Sequence, residues 1–363
     1  MQEDEFGFIY PVIDEDRCIR CGQCKKVCAF QNIEETNSPI ECYAAVSKNP
    51  EQAKRSASAG IFAATAIKVI EQGGIVYGAA FSESWKVHHI SAETMDQLCA
   101  LQGSKYAQSN TESIYQNVKI QLSTGSQVLF SGTPCQVAGL YGYLKRDYDN
   151  LLTIDIICHG VPSSRMFQDY INLLGEKYSG KVENFIFRDK SIGWGINGCA
   201  IIDGKKVKLW QSASSFLYYF TQGWVYRDSC YKCPYANENR PADITLGDYW
   251  GIEKQHPELL GKNGWDESKG ISCVIINTKK GKELLEHADC DIRVTTFEKI
   301  KKGNAQLTEP SKEGKRSEIF GIYKQFGWKG LQKRFDSTIG IKKYSSIIKC
   351  FLPSRLKRLL KSI

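Results

Sequence analysis

The chain has 363 residues, 42% hydrophobic and 24% charged, enough for one large packed domain or two modest ones. Its net charge of +8 is uneven: from Lys312 to Ile363, fourteen Lys and Arg face three acids, leaving a body of about −3 and arguing against a nucleic-acid-binding core. The acidic start MQEDEFGF predicts no secretory signal, and no run of about 18 apolar residues predicts a membrane span; the fourteen cysteines are therefore expected as reduced cytosolic thiols, where clusters read as metal or redox sites before disulfides.

Residues 1–40 are small, cysteine-rich and turn-prone. RCIRCGQCKKVC places Cys18, Cys21, Cys24 and Cys28 at x2, x2, x3 spacing. That compression suits an iron–sulphur cubane, whose irons each take one thiolate from a tightly wrapped loop. A zinc ribbon would more usually bring two CxxC pairs separated by a longer loop. In the bacterial ferredoxin run the fourth cysteine serves a different cluster from the first three, so the stretch reads as half of a pair. Ala29 stands where that run usually has Pro.

SAGIFAATAIKVIEQGG predicts a helix over 58–74, with Ser58 as its cap and Gly73 and Gly74 as its stop. IVYGAAF (75–81) predicts a strand. QVLFSGTPCQVAGLYGYL (127–144) reads as a strand, a tight turn and a helix with Pro134 in its first turn. LLTIDIICHG (151–160) predicts a strand ending at Cys158, and CVIINT (273–278) another, followed by helical GKELLEHA. Short apolar strands alternating with helices predict an α/β or mixed α+β body.

The remaining cysteines include a dispersed set: Cys135 in SGTPCQ, Cys158 in CHG, and Cys230 with Cys233 in SCYKCPY. Cys135 and Cys158 both sit where a predicted strand stops, the edge at which open α/β sheets bind ligands. Together the set supplies four thiolates, the number that a second cubane or a structural zinc requires. Cys42, Cys99, Cys199, Cys273, Cys290 and Cys350 read as structural thiols, with Cys42 the first candidate for another role.

EFGFIYPVID, SASAGIFAA, GGIVYGAAF, LQGSKYAQS, VLFSGTPCQVAGL, IDIICHGVPS, FRDKSIGWG, SCYKCPYANENRPADITLGDYWGIEK and ISCVIINT run in the order of a known family. The chain resembles the beta-subunit family of coenzyme F420-dependent hydrogenases and formate dehydrogenases, in its bacterial branch with a fused ferredoxin module. The resemblance covers about residues 5–285. With the composition it gives a ferredoxin-like module over 1–40 and a body in two parts over 41–125 and 126–300, and the charge pattern marks a basic tail over 301–363. The resemblance implies FAD beside a 4Fe-4S cluster, with Cys135, Cys158, Cys230 and Cys233 holding that internal cluster. It also implies electron transfer between that pair and a two-electron carrier, with coenzyme F420 as a candidate substrate and a ferredoxin or other redox protein as partner. Relatives carry a first CxxCxxCxxxC run ahead of a segment like Met1 to Asp14. Here one run stands alone. Three readings follow: a chain start set too late, a one-cluster module with Cys28 or Cys42 as substitute ligand, or a labile or three-iron cluster. The first is favoured.

A flavin's pyrophosphate needs backbone N–H groups and cations, and its ring needs hydrogen bonds. Three loops offer them: Ser58, Ala59 and Gly60 at a helix start; Gly103, Ser104 and Lys105; and Gly132, Thr133 and Pro134 beside Cys135. Gly247 and Asp248 in ITLGDYWG, with Arg240 and Asp243, are expected to line the same pocket. His159 is the candidate proton shuttle. No GxGxxG fingerprint is present. His88 and His89 carry no pattern. KKYSSIIKCFLPSRLKRLLKSI (342–363) interleaves basic and apolar residues and is a candidate for an anionic membrane surface, which would make the protein cytoplasmic and peripheral to the inner face. The leading function is a flavin- and iron–sulphur-dependent oxidoreductase. The alternative is a non-flavin electron carrier with structural zinc in its body.

Overall fold

A computed structural model of the chain describes residues 1–340 apart from 32, 34, 35 and 263. The basic amphipathic segment expected over 342–363 lies outside the described residues, as does Cys350.

In chain order the strands are β1 (Gln2–Glu3), β2 (Ile9–Tyr10), β3 (Glu41–Ser47), β4 (Ile75–Phe81), β5 (Val87–Ala92), β6 (Ser109–Asn110) and β7 (Val128–Gly132). They continue with β8 (Leu151–Ile156), β9 (Val182–Ile186), β10 (Gly198–Ile202), β11 (Lys205–Leu209), β12 (Ile244–Asp248), β13 (Ser272–Ile276) and β14 (Cys290–Thr295). Nine of them form one mixed sheet in the order β14-β3-β13-β12-β8-β7-β4-β5-β6. Its centre, β12-β8-β7-β4, is parallel; antiparallel pairings flank it on either side. The chain is therefore α/β with mixed α+β character, as its alternation of elements predicts.

Central parallel strands are covered on both faces and read as near-continuous apolar runs. In LLTIDI of β8, every residue but Ile156 is buried. Asp155 is tolerated at that depth because Arg240, itself 1% exposed, donates to its Oδ1 at 2.9 Å. One apolar cluster packs the helix Ile61–Glu71 and its neighbours against the sheet. Another joins Val137, Leu140 and Leu144, from the helix Pro134–Leu144, to the inner faces of β4, β7 and β8. A third gathers the helices Ser164–Tyr178 and Arg316–Ile339 over the three-stranded sheet β11-β10-β9, and takes in Phe8.

Two boundaries move from their predicted places. The helix expected from Ser58 begins at Ile61, and its cap is Gly60 at φ 87° with no side-chain cap bond. The left-handed turn needed there suits glycine, and the Ser58 hydroxyl is left without a partner. The strand expected to reach Cys158 ends at Ile156, so the thiol follows two residues beyond the sheet.

Candidate redox site

The N-terminal cysteines are held by a loop with two left-handed residues, Arg20 and Gly22, and a single short helix, Gln23–Lys26. Cys18, Cys21 and Cys24 are exposed and Cys28 is half-buried. The loop docks on the body. A Cβ at Gly142, on the helix that carries Cys135, would lie 2.7 Å from the Val27 carbonyl oxygen. Lys145 at the end of that helix donates to Gln23 at 3.0 Å. The buried Tyr235 donates its hydroxyl to the Ala29 carbonyl. Cys42 sits elsewhere, on β3 in an apolar cluster with Cys273. Burial pushes its thiol up to about 11, and that apolar setting does not support a substitute-ligand role for the exposed run.

The body cysteines converge from three places. Cys135 is the second residue of the helix after β7, in a turn where Gln136 accepts from the Thr133 N–H at 3.0 Å. Cys158 follows β8, the neighbouring parallel strand. Cys230 lies in the short helical turn Asp228–Lys232, and Cys233 ends it. Every pair among the four is close enough for one thiolate's charge to raise the pKa of another. Burial is the larger cause and acts in the same direction; it pushes Cys230 up to about 12 and Cys158 well above its ordinary value. Four half-buried groups that oppose one another's ionisation become a stable thiolate set only around a cationic centre. Among the described residues, no three His, Cys, Asp or Glu side chains are gathered at single-ion distance.

A cavity of about 550 Å³ opens along the carboxyl edge of the parallel strands. Cys135 and Cys158 form part of its wall. So do Ser58, Gly60, Gly103, Ser104, Lys105, Gly132, Thr133, His159, Gly247 and Asp248. Ala59 and Pro134 do not: both are buried in packing beside it. Met1, Ile9 and Phe30 line the cavity from the N-terminal segment, which Gln108 grips by bonds to both the N–H and the carbonyl of Ile9.

The wall carries groups suited to an anionic, hydrogen-bonding ligand. The Ser58 hydroxyl is buried and unpartnered. Below it, Lys190 donates to the carbonyls of Ser58 and Ala53, and burial lowers that lysine to about 8. Lys105 donates to the Ala100 and Gln102 carbonyls at 2.7 and 2.8 Å, and burial lowers it to about 7. Asp248 is clamped by both Arg188 nitrogens, at 2.6 and 2.9 Å, and by the Trp194 indole N–H at 2.7 Å. A carboxylate so engaged orients its surroundings. Gly247 is glycine for packing, since a Cβ would meet Ile157 at 2.5 Å. His159 is exposed on the wall.

Arg240 and Asp243, expected on the same wall, are scaffold instead. Arg240 is spent on Asp155 and the carbonyls of Tyr235 and Ile156. Asp243 binds Thr153 and Thr278. Sequence reasoning passed over Arg188, Lys190, Arg227 and His89, all near or on the wall. For His89 a signal existed: in VHHISA the alternation of a strand turns Val87 and His89 inward together. Its Nδ1 meets Ser109 at 2.7 Å and its Nε2 meets the Ser131 carbonyl at 3.1 Å. The carbonyl can only accept, so Nε2 carries a proton. Burial lowers its pKa to about 4.

Residues 125–302 match the family described as the C-terminal part of the coenzyme F420 hydrogenase/dehydrogenase beta subunit. Residues 10–33 match a 4Fe-4S binding domain. No curated protein matches the chain. Among solved structures, the chain is similar to one from the F420-reducing NiFe hydrogenase complex of Methanosarcina barkeri, with 17% identity, 84% of this chain and 92% of that chain covered, and a TM-score of 0.48. Over residues 125–302 this protein belongs to the coenzyme F420 hydrogenase/dehydrogenase beta-subunit family, carries a 4Fe-4S binding domain at its N-terminus, and is an iron–sulphur oxidoreductase.

Proposed function

We propose that the protein is an iron–sulphur flavoprotein that passes electrons between 4Fe-4S clusters and a two-electron carrier, with FAD in the cavity between them. Cys18, Cys21, Cys24 and Cys28 supply the N-terminal thiolates, and Cys135, Cys158, Cys230 and Cys233 the internal ones. Clusters carry single electrons, and a bound flavin joins them to hydride chemistry. The chain's own residues bind and orient. The N–H groups of the first helical turn after Gly60 and the unpartnered Ser58 hydroxyl face the ligand's anionic groups, backed by Lys105, whereas the Ala59 N–H is spent on Ser272. The turn Gly132–Thr133 and the strand end Gly247–Asp248 line its other side. Phe30 and Met1 form an apolar rim at the cavity mouth, and His159 exchanges protons with solvent there.

One observation carries this reading: two of the four neighbouring body thiols, Cys135 and Cys158, form part of the wall of the large cavity. Coenzyme F420 is the carrier that the family's name points to, and a ferredoxin-type protein is the partner the exposed N-terminal run suits. The residue limits 1–40 for the electron module and 41–300 for the body belong to the same reading. So does a cytoplasmic protein whose tail over 342–363 rests on an anionic membrane face.

The test is anaerobic purification of the full chain, then acid release of flavin and an iron count. The expected result is one flavin per chain with about four irons per cluster. Iron without flavin would overturn the flavoprotein assignment. Reduction assays with F420, NAD(P)H, reduced ferredoxin and quinols then identify the carrier. F420 turnover no faster than a protein-free control would remove F420 from the proposal.

A further inference from the structure

We propose that Arg227 tunes the centre held by the four body cysteines, as the uncompensated positive charge beside them. The inference rests on the reading that Cys135, Cys158, Cys230 and Cys233 bind one cluster.

Two arginines lie near these thiols. Arg240, whose charge acts on Cys233, is fully committed: it pairs with Asp155 at 2.9 Å, and the two charges cancel in place. Arg227 acts on Cys135 and Cys230. Among the described residues it makes no ion pair, and its neighbour Asp228 is taken by Arg316 at 2.7 Å. Its guanidinium lies 4.1 Å from the centroid of the Tyr10 ring, a contact that positions a cation without neutralising it. Its Nε is buried and has no hydrogen-bond acceptor. A buried, unpaired donor is costly unless the site supplies a counter-charge. Four thiolates around iron and sulphide form an anion, and Arg227 faces it from the cavity wall.

The backbone fixes this placement. The Arg227 N–H donates to the Val161 carbonyl at 3.0 Å, tying it to the loop after Cys158, and the Cys230 N–H donates to the Arg227 carbonyl at 2.9 Å. The arginine thus moves with two of the four ligands. Tyr10 and its neighbour Ile9 belong to the N-terminal segment, so the same side chain also meets the portion of chain leading to the first cysteine run. One electron arriving from a reduced ferredoxin-type donor makes the cluster more negative by one charge, with no bond made or broken. An unneutralised cation at fixed range favours that reduced state.

The experiment is a potentiometric titration of the full-length, anaerobically purified protein, followed by electron paramagnetic resonance. At the ambient potential that half-reduces the wild-type internal centre, R227Q is expected to show a reduced-to-oxidised ratio about tenfold lower, a downward shift of 59 mV for one electron. The N-terminal signal is expected to stay in place as an internal control. R227K, which keeps the charge, is expected to stay within about threefold of wild type. An R227Q protein with full iron and the wild-type midpoint overturns the proposal. If R227Q loses iron, R227K decides: a retained centre with wild-type partition supports the charge role, and loss of iron in R227K as well overturns it. A C230S/C233S protein with unchanged iron would instead refute the ligand reading beneath it.

Discussion

The two cysteine sets differ in how they are built. The N-terminal four lie within eleven residues of one another, on an exposed loop with one short helix. The body four span residues 135–233 and meet only because two neighbouring parallel strands and a later turn end at one place. The first set needs little beyond its own loop. The second needs the whole sheet. A loop-held set should therefore survive damage to the body's scaffold, and the assembled set should not.

The strongest way to break the assembled set without touching a cysteine is Arg240→Ala. It leaves Asp155 buried and unpaired beneath Cys158. Removing one partner of a buried ion pair costs about 3–5 kcal/mol. Urea denaturation should show a loss of that order, with body-cluster absorption lost and the N-terminal signal kept. Equal loss of both signals would contradict the division.

Acid sharpens the comparison next. His89 is held neutral, with a pKa lowered by burial to about 4 from 6.5. The unfolded chain binds a proton that the folded chain refuses. Stability from this group is therefore complete above pH 6.5 and drains as pH falls towards 4, by about 3 kcal/mol. Denaturation midpoints should fall over that window and flatten in H89Q. An unchanged slope in H89Q would show that the buried ring is not the cause.

The joint between the regions gives a smaller effect. Gly142→Ala drives a methyl against the Val27 carbonyl oxygen, 2.7 Å away. Overpacking of this kind costs about 1–3 kcal/mol. Hydrogen exchange over residues 10–33 should quicken while the central strands stay protected. Smaller still is Glu5→Gln, which breaks an exposed pair with Lys324. It should change stability by less than about 1 kcal/mol.

The same contrast explains what could be read in advance. The x2, x2, x3 run is legible because its chemistry is local. β4 falls on its expected residues, and Pro134 starts its helix, because apolar runs and turn residues mark both. Ser58 failed as a cap because Gly60, two residues on, takes the left-handed turn. Arg240 and Asp243 sit beside the ITLGDYWG block yet serve Asp155 and Thr153, residues some ninety positions earlier. Arg188 reaches Asp248 across sixty positions. No spacing rule carries such pairings; they exist only once the sheet order is set. Arg188, Lys190 and Arg227 were therefore less open to sequence reasoning than Lys105 and Asp248, which sit in recognisable blocks.

The most direct test of the account compares two serine variants of the full chain by iron content and low-temperature electron paramagnetic resonance. One replaces Cys18, Cys21 and Cys24; the other replaces Cys135, Cys158, Cys230 and Cys233. Each should lose its own signal and about four irons while the other signal persists. A body variant that keeps wild-type iron and both signals would contradict convergence of those four thiols on one centre.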